Sequence, residues 1–180
     1  GNFNYIFDYS DNASTSVGLF VNAQSGAPFT YLVQGDLNGD GASGNDQAYV
    51  PATSSDIVFG TGNTPADAAT QAALWSQLDA FIKRDNYLSE NRGIISERNA
   101  ARTPWTSKMD VRLMQEFKLM VNGKPNRLQV SLDIENLANL LNRDWGKSYF
   151  VNFDTYNLLE LEGFNGNTPI YTYNDRDEPW

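Results

Sequence analysis

At 180 residues and 20.1 kDa the chain holds about one domain's worth of protein on a scale of roughly 150 residues per domain. It has no cysteine and no histidine, which excludes disulfide scaffolds, thiol catalysis, Cys-ligated metal, iron–sulfur clusters, Ser-His-Asp triads and imidazole metal sites. The net charge of −9 speaks against a nucleic-acid partner, because phosphate binding needs a dominant basic face.

The charge is unevenly spread. Residues 1–82 hold eight acids and no Lys or Arg, residues 83–127 hold ten bases against five acids, and residues 128–180 hold three bases against nine acids. Aromatics are plentiful, with ten Phe, nine Tyr and four Trp, and so are turn formers, with 20 Asn and 15 Asp. Strand chemistry and turn chemistry are both enriched, so an all-β protein with long polar loops is expected.

Taken in chain order, Phe3, Tyr5, Phe7 and Tyr9 alternate with Asn4, Ile6 and Asp8, which predicts a strand over 2–10. A second strand is predicted over 14–23 and a third over 27–34, the three forming a meander. Strand periodicity then lapses from 35 to 104, too long for an ordinary connection. Within it, Thr64 as N-cap and Pro65 at the first helical position start a helix predicted over 65–84, with Leu74, Leu78, Phe81 and Ile82 on one stripe.

The strongest pattern follows. Over 105–120, Trp105, Met109, Val111, Leu113, Phe117 and Leu119 alternate with Lys108, Asp110, Arg112, Glu116 and Lys118. After a turn over 122–126, a strand predicted over 127–139 places Leu128, Val130, Leu132 and Ile134 against Arg127, Gln129, Ser131, Asp133 and Glu135. A hairpin about that turn brings Arg112 to Asp133 or Glu135 according to register. A weaker strand is predicted within 148–174. Strands of this length exceed the usual five or six residues and meet the roughly 9–11 that a tilted membrane strand needs. The short turn at one end and the long excursion at the other reproduce the asymmetry of outer-membrane barrels. Trp105, Tyr31 and Trp145 fall near strand ends, where an aromatic girdle would lie. A soluble β-sandwich with long strands has the same periodicity and stays open as the alternative.

Three groups of residues are candidates for chemistry. Asp36, Asn38 and Asp40, the glycine Gly41, the carbonyl of Ala42 and then Asp46 have the spacing of a calcium loop, although Gln47 stands where the bidentate Glu belongs; a solvated Asn/Asp/Gly turn is the other reading. Arg92, Arg98 and Arg102 gather before a strand, as carboxylate or phosphate receptors or as pins for the long loop. Arg112, Asp133 and Glu135 are expected to form structural ion pairs, and a glycosidase carboxylate pair at Asp133 and Glu135 is the lesser reading. No enzymatic activity is expected.

The runs Tyr87-Leu-Ser-Glu-Asn-Arg-Gly93, Glu97-Arg-Asn-Ala-Ala-Arg-Thr-Pro-Trp105 and Met109-Asp-Val-Arg-Leu-Met-Gln-Glu-Phe117 resemble the C-terminal barrel segment of Oar-like TonB-dependent outer-membrane receptors with a carboxypeptidase-regulatory-like N-terminal domain. Gly26-Ala-Pro-Phe-Thr-Tyr31, Gly35-Asp-Leu-Asn-Gly-Asp-Gly41, Tyr49-Val-Pro51 and Asp133-Ile-Glu-Asn-Leu-Ala-Asn-Leu-Leu-Asn142 with Trp145-Gly146 follow in the same order, so the resemblance spans nearly the whole chain. It implies an antiparallel transmembrane barrel of about 22 strands around a plug, driven by the TonB complex to import a ligand across the outer membrane of a Gram-negative bacterium. About six of those strands would lie here. The lipid face would be Val111, Leu113, Phe117, Leu128, Val130, Leu132 and Ile134, the interior Arg112, Asp133 and Glu135, and ligand capture would fall to extracellular loops around 36–105 and after 142. Partners would be outer-membrane lipid, the remaining strands and plug, the TonB complex, and a surface lipoprotein or other subunit. With no plug in the sequence and no alternation over 174–180, the chain is expected to be one piece of a larger receptor. A secreted calcium-binding β-sandwich, adhesive or carbohydrate-binding, is the competing function.

Overall fold

A computed structural model of the chain describes residues 1–174 and 179–180. In chain order its elements are β1 (Asn2–Ser10), β2 (Ala13–Gln24), β3 (Pro28–Gln34), β4 (Gly60–Thr61), β5 (Thr64–Pro65), α1 (Ala68–Arg84), α2 (Asn86–Glu90), β6 (Ala101–Arg102), β7 (Thr106–Val121), β8 (Lys124–Ile134), α3 (Leu137–Leu141), β9 (Thr155–Asn165) and β10 (Thr168–Thr172). Short 3-10 turns lie at Ser54–Asp56 and Asn152–Asp154. The chain is mostly β, and among the described residues no sheet closes on itself. It divides into two compact units, residues 1–25 with 105–148 and residues 26–104 with 149–180.

The first unit is an antiparallel sheet in the order β1-β2-β7-β8. Its two hairpin turns are tight. Ser10 pairs with Ala13 across one, and Val121 pairs with Lys124 across the other. In the second turn Asn122 and Gly123 both take positive φ, 52° and 75°, the mirror-image geometry whose twist matches the flanking strands. The turn is therefore two residues rather than the expected five, and β8 begins earlier than predicted. It also ends earlier. At Asn136 the backbone enters the left-handed region, its N–H donates to the Asp110 carboxylate at 2.7 Å, and α3 replaces the strand expected to reach 139. Both tight turns lie at one end of the sheet, and the long excursions that follow β2 and β8 leave from the other.

Those excursions supply the second unit. Its main sheet runs β10-β9-β3-β6, with β3 parallel to β9 and antiparallel to β6. The expected three-strand meander thus ends after two strands. Between β2 and β3, Gly26 approaches Thr103 so closely that an added Cβ would lie 1.8 Å from the Thr103 carbonyl oxygen. Two hydrogen bonds, Thr103 N–H to the Ala27 carbonyl at 3.0 Å and Ala27 N–H to the Thr103 hydroxyl at 2.9 Å, fix β3 beside β6. Consecutive residues Phe29 to Val33 are all buried, so β3 is covered on both faces and cannot present alternate side chains to lipid and water.

The excursion over 35–104 is ordered by a core that it shares with β3, β9 and the segment from β10 to Tyr173. The cap of α1 is Asp67, whose carboxylate accepts the Thr70 N–H at 2.8 Å, whereas the expected Thr64 and Pro65 form β5. The helix therefore starts three residues later than predicted. Its Leu78, Phe81 and Ile82 are buried among Tyr31, Leu88, Leu158 and Leu159, and Leu74 packs beside them. The weak strand expected within 148–174 resolves into β9 and β10, whose backbones pair across the turn at Gly166. The stretch 174–180 lies largely outside the described residues, so its expected lack of alternation has no structural counterpart.

Candidate functional site

The feature of the first unit that bears on function is the contrast between its two faces. Register decides it: Phe3 sits opposite Leu19, Leu19 opposite Val111, and Val111 opposite Ile134, while Val17 faces Leu113 and Leu113 faces Leu132. Directly opposed residues share a face, so aromatic and aliphatic side chains of all four strands form one continuous surface. Every member of the expected lipid face, Val111, Leu113, Phe117, Leu128, Val130, Leu132 and Ile134, belongs to it. The surface is open. Val130 and Leu132 are 58% and 56% exposed, and Phe3, Tyr5 and Phe7 are at least half exposed. Four strands about 4.8 Å apart and about ten residues long span roughly 600 Å² in plan, at the upper limit of what a typical soluble monomer exposes.

A polar pair interrupts this surface and is satisfied locally. Gln115 lies between Leu113 and Phe117; its carbonyl oxygen accepts from the Thr15 hydroxyl at 2.6 Å and its amide donates to the Ser14 carbonyl at 3.0 Å. In hydrocarbon such a side chain is tolerated because its hydrogen-bonding groups find partners inside the sheet.

The opposite face is mixed: it lines an open groove of about 660 Å³ in which Asn4, Ser16, Arg112 and Asp133 stand beside Ile6, Phe20 and Met114. The register places Arg112 against Asp133, and the guanidinium grips the carboxylate with both Nε and Nη2, the latter at 3.0 Å. Glu135, the other acid weighed for this pairing, lies beyond the end of β8 and is exposed. Closer to the turn, Gln129 donates to Glu116 at 2.7 Å and Arg127 approaches the same carboxylate at 4.0 Å. Asp133 is thus engaged by an arginine with both oxygens, an arrangement suited to holding register and not to general acid–base work.

The three candidate arginines are placed differently. Arg92 donates to Asp79 at 2.7 Å and to the Pro51 carbonyl at 3.4 Å; Arg102 donates to the Gly26 carbonyl at 3.3 Å; Arg98 is exposed. Lys83 shares Asp79 from the other side at 2.6 Å. Hydrogen bonding by Lys83, reinforced by Arg92, holds the Asp79 carboxyl below the ordinary aspartate value of 3.8. Arg92 therefore pins the segment after α2 to α1.

The turn over 36–46 closes on its own backbone. The Asp36 carboxylate accepts the N–H groups of Gly39, Asp40 and Gly41 at 2.7, 3.1 and 2.9 Å, Asn38 accepts from Asp40 N–H, and Asp46 accepts from Leu37 N–H at 2.7 Å. The Ala42 N–H, together with Asn45 and Asn38 amides, lowers the Asp40 pKa. Among the described residues no group of three or more acidic side chains converges as a metal cage. A carboxylate retains lone pairs after accepting such bonds, so these backbone contacts leave Asp36 and Asp40 with further acceptor capacity.

Of the residues expected in an aromatic girdle, Trp105 and Trp145 are exposed, but Tyr31 is fully buried. Its hydroxyl donates to the Asp85 carboxylate at 2.7 Å, its ring stacks with Tyr87, and burial followed by the Asp85 charge raises its pKa far above the usual phenol range. Tyr31 holds the second unit together instead of lining a membrane boundary. Sequence reasoning missed α3 and the composite second unit. The helix left a trace in Leu137, Leu140 and Leu141 at helical spacing, whereas nothing local in 28–34 announces a partner at 155–160. Compared with protein-family models, curated proteins and solved structures, the chain matches none.

Proposed function

We propose that the chain is part of a TonB-dependent receptor of a Gram-negative outer membrane, in which β1, β2, β7 and β8 form a stretch of the transmembrane wall and the second unit is the extracellular, ligand-capturing portion. The observation that carries this reading is the open sheet with one continuous oily face and, on the other face, a mixed surface on which Arg112 and Asp133 pair. A soluble protein would gain by covering such a face, at about 25 cal/mol for each Å² of apolar surface removed from water. Acyl chains cover it without any further protein.

Connectivity supports the same reading. Both two-residue turns lie at one end of the sheet and both long excursions leave from the other, as short periplasmic turns and long extracellular loops do in outer-membrane barrels. With β1 and β8 as unpaired edges, the wall would be completed by neighbouring strands of the receptor, since an open edge is not tolerated in hydrocarbon. The plug, the TonB complex and a surface lipoprotein would be its other partners, and the reaction is transport, with no catalytic step assigned to this chain.

The test is detergent dependence followed by flotation. Purified in detergent and then diluted, the chain should float with phosphatidylethanolamine/phosphatidylglycerol vesicles and precipitate without them. A chain that stays monodisperse in plain buffer and remains at the bottom of the gradient defeats the reading. That outcome would favour the secreted module with Asp36, Asn38, Asp40, Ala42 and Asp46 around calcium, whose own check is a rise in melting temperature on adding calcium chloride that D36N removes.

A further inference from the structure

The segment after β8 is ordered, yet its large apolar side chains point into the open. Asn139 donates to the carbonyls of Arg143 and Trp145, both at 3.0 Å, Trp145 N–H donates to the Asn142 carbonyl at 3.0 Å, and Gly146, at a φ of 71°, packs against the Asn136 side chain. These bonds fix the path of the chain from 136 to 146. They do not bury Leu140, Leu141 or Trp145, which are 72%, 75% and 53% exposed. A loop that spends its hydrogen bonds on order and leaves two adjacent leucines outside is shaped for an apolar surface other than its own core.

Resting on the membrane reading above, we infer that α3 and the turn after it lie in the outer-leaflet interface, with Leu140, Leu141 and Trp145 at the level of the upper acyl chains and Arg143 at the lipid phosphates. Three observations select lipid as the occupant. Only two residues separate α3 from Ile134, the last oily-face residue of β8, so the helix begins where the lipid-facing strand stops. The strand ends opposite the tight turns also carry Trp105, 71% exposed, immediately before β7. Leucine and tryptophan beside a basic side chain is the composition of segments that lie in a membrane surface, where an indole occupies the headgroup level and a guanidinium meets phosphate in two parallel hydrogen bonds. Lys147 is already paired with Asp144 at 2.7 Å, so the phosphate contact falls to Arg143.

The chain has no cysteine, so single-cysteine variants take one nitroxide label each. The full chain in phosphatidylethanolamine/phosphatidylglycerol vesicles is labelled separately at L141C, at L132C on the oily face, and at N38C in the second unit. Collision with oxygen, which concentrates in lipid, is compared with collision with a water-soluble nickel chelate. The expected oxygen-to-nickel ratio is highest at 132, lowest at 38, and at least threefold above the residue 38 value at 141. A ratio at 141 equal to that at 38, with 132 still shielded from nickel, overturns the inference and leaves the membrane reading standing. Shielding of 141 from both reagents also overturns it, in favour of a protein partner or a second copy on α3. Nickel access at 132 removes the membrane reading and the inference with it. Both leucines are exposed, so neither label disturbs a packed core.

Discussion

Placing a charge at Val130 separates a lipid-facing wall from a water-facing one. Val130 is near the middle of β8, opposite Gln115, on the oily face and 58% exposed. If that exposure is to acyl chains, V130R puts a guanidinium near the bilayer midplane, at a cost of about 2–4 kcal/mol for a barrel wall. At 1.4 kcal/mol per tenfold, the chain's partition into vesicles falls roughly 30- to 700-fold. If the exposure is to water, the same change at an open surface site stays within about 0.5 kcal/mol, or roughly twofold. Gln129 is the internal control, since it sits one residue away on the polar face, and Q129R costs little in either setting. The assay is titration of the labelled chain with vesicles, reading bound fraction by flotation. Equal partition of V130R and Q129R within about twofold refutes the placement of the oily face in lipid, whatever the resemblance of the sequence suggests.

Four further outcomes test the structure more locally. T15V takes away the donor to Gln115 and leaves an amide oxygen unpartnered in the oily face, costing about 1 kcal/mol in vesicle partition, while the double variant T15V/Q115L recovers it; no recovery would mean that the pair is wet. Y31F removes a buried hydrogen bond to a carboxylate and should destabilise the second unit by about 1.5–3 kcal/mol in urea unfolding, read by near-ultraviolet circular dichroism; an unchanged midpoint would contradict its burial. G26A forces a Cβ into the Thr103 carbonyl and should cost about 3 kcal/mol or more, seen as loss of protease resistance over 26–104; a wild-type digestion pattern would refute that close approach. Asp79 has a lowered pKa, so its contribution is complete above the ordinary aspartate value of 3.8 and is lost as pH falls through its lower folded value. D79N should therefore flatten the decline of second-unit stability below about pH 4, measured by melting temperature against pH, and an unaltered slope would show that Asp79 is not the group responsible.

Much of the first unit was legible because its information is local. Period-two alternation over 105–119 and 128–134, joined by Asn122-Gly123, specifies a hairpin, its two faces and, within two residues, the partner of Arg112. The charge on Arg112 and Asp133 adds to what the turn already dictates, since a slip of one residue would turn each oily side chain to the other face. The strand expected over 127–139 stops at Ile134, since the apolar alternation itself ends there and Asn136 in the left-handed region starts a helix. Beyond Thr64 and Pro65 the helix stripe was correct and the cap was not, because Asp67 competes for the same role and only its bond to Thr70 decides between them.

What the sequence determined by itself is the β character of the chain, the pairing of β7 with β8, and the stripe of α1, all set by side chains within about one turn or one hairpin of each other. Only the tertiary structure decided that β3 leaves the first sheet, that it runs parallel to β9 more than a hundred residues away, and that Tyr31 is a core residue bound to Asp85. Those outcomes depend on contacts between distant segments. The apolar run at 29–33 has the same chemistry whether lipid or protein surrounds it, and what decides is its pairing with β6 and β9, distant in the chain, inside a core that covers both its faces.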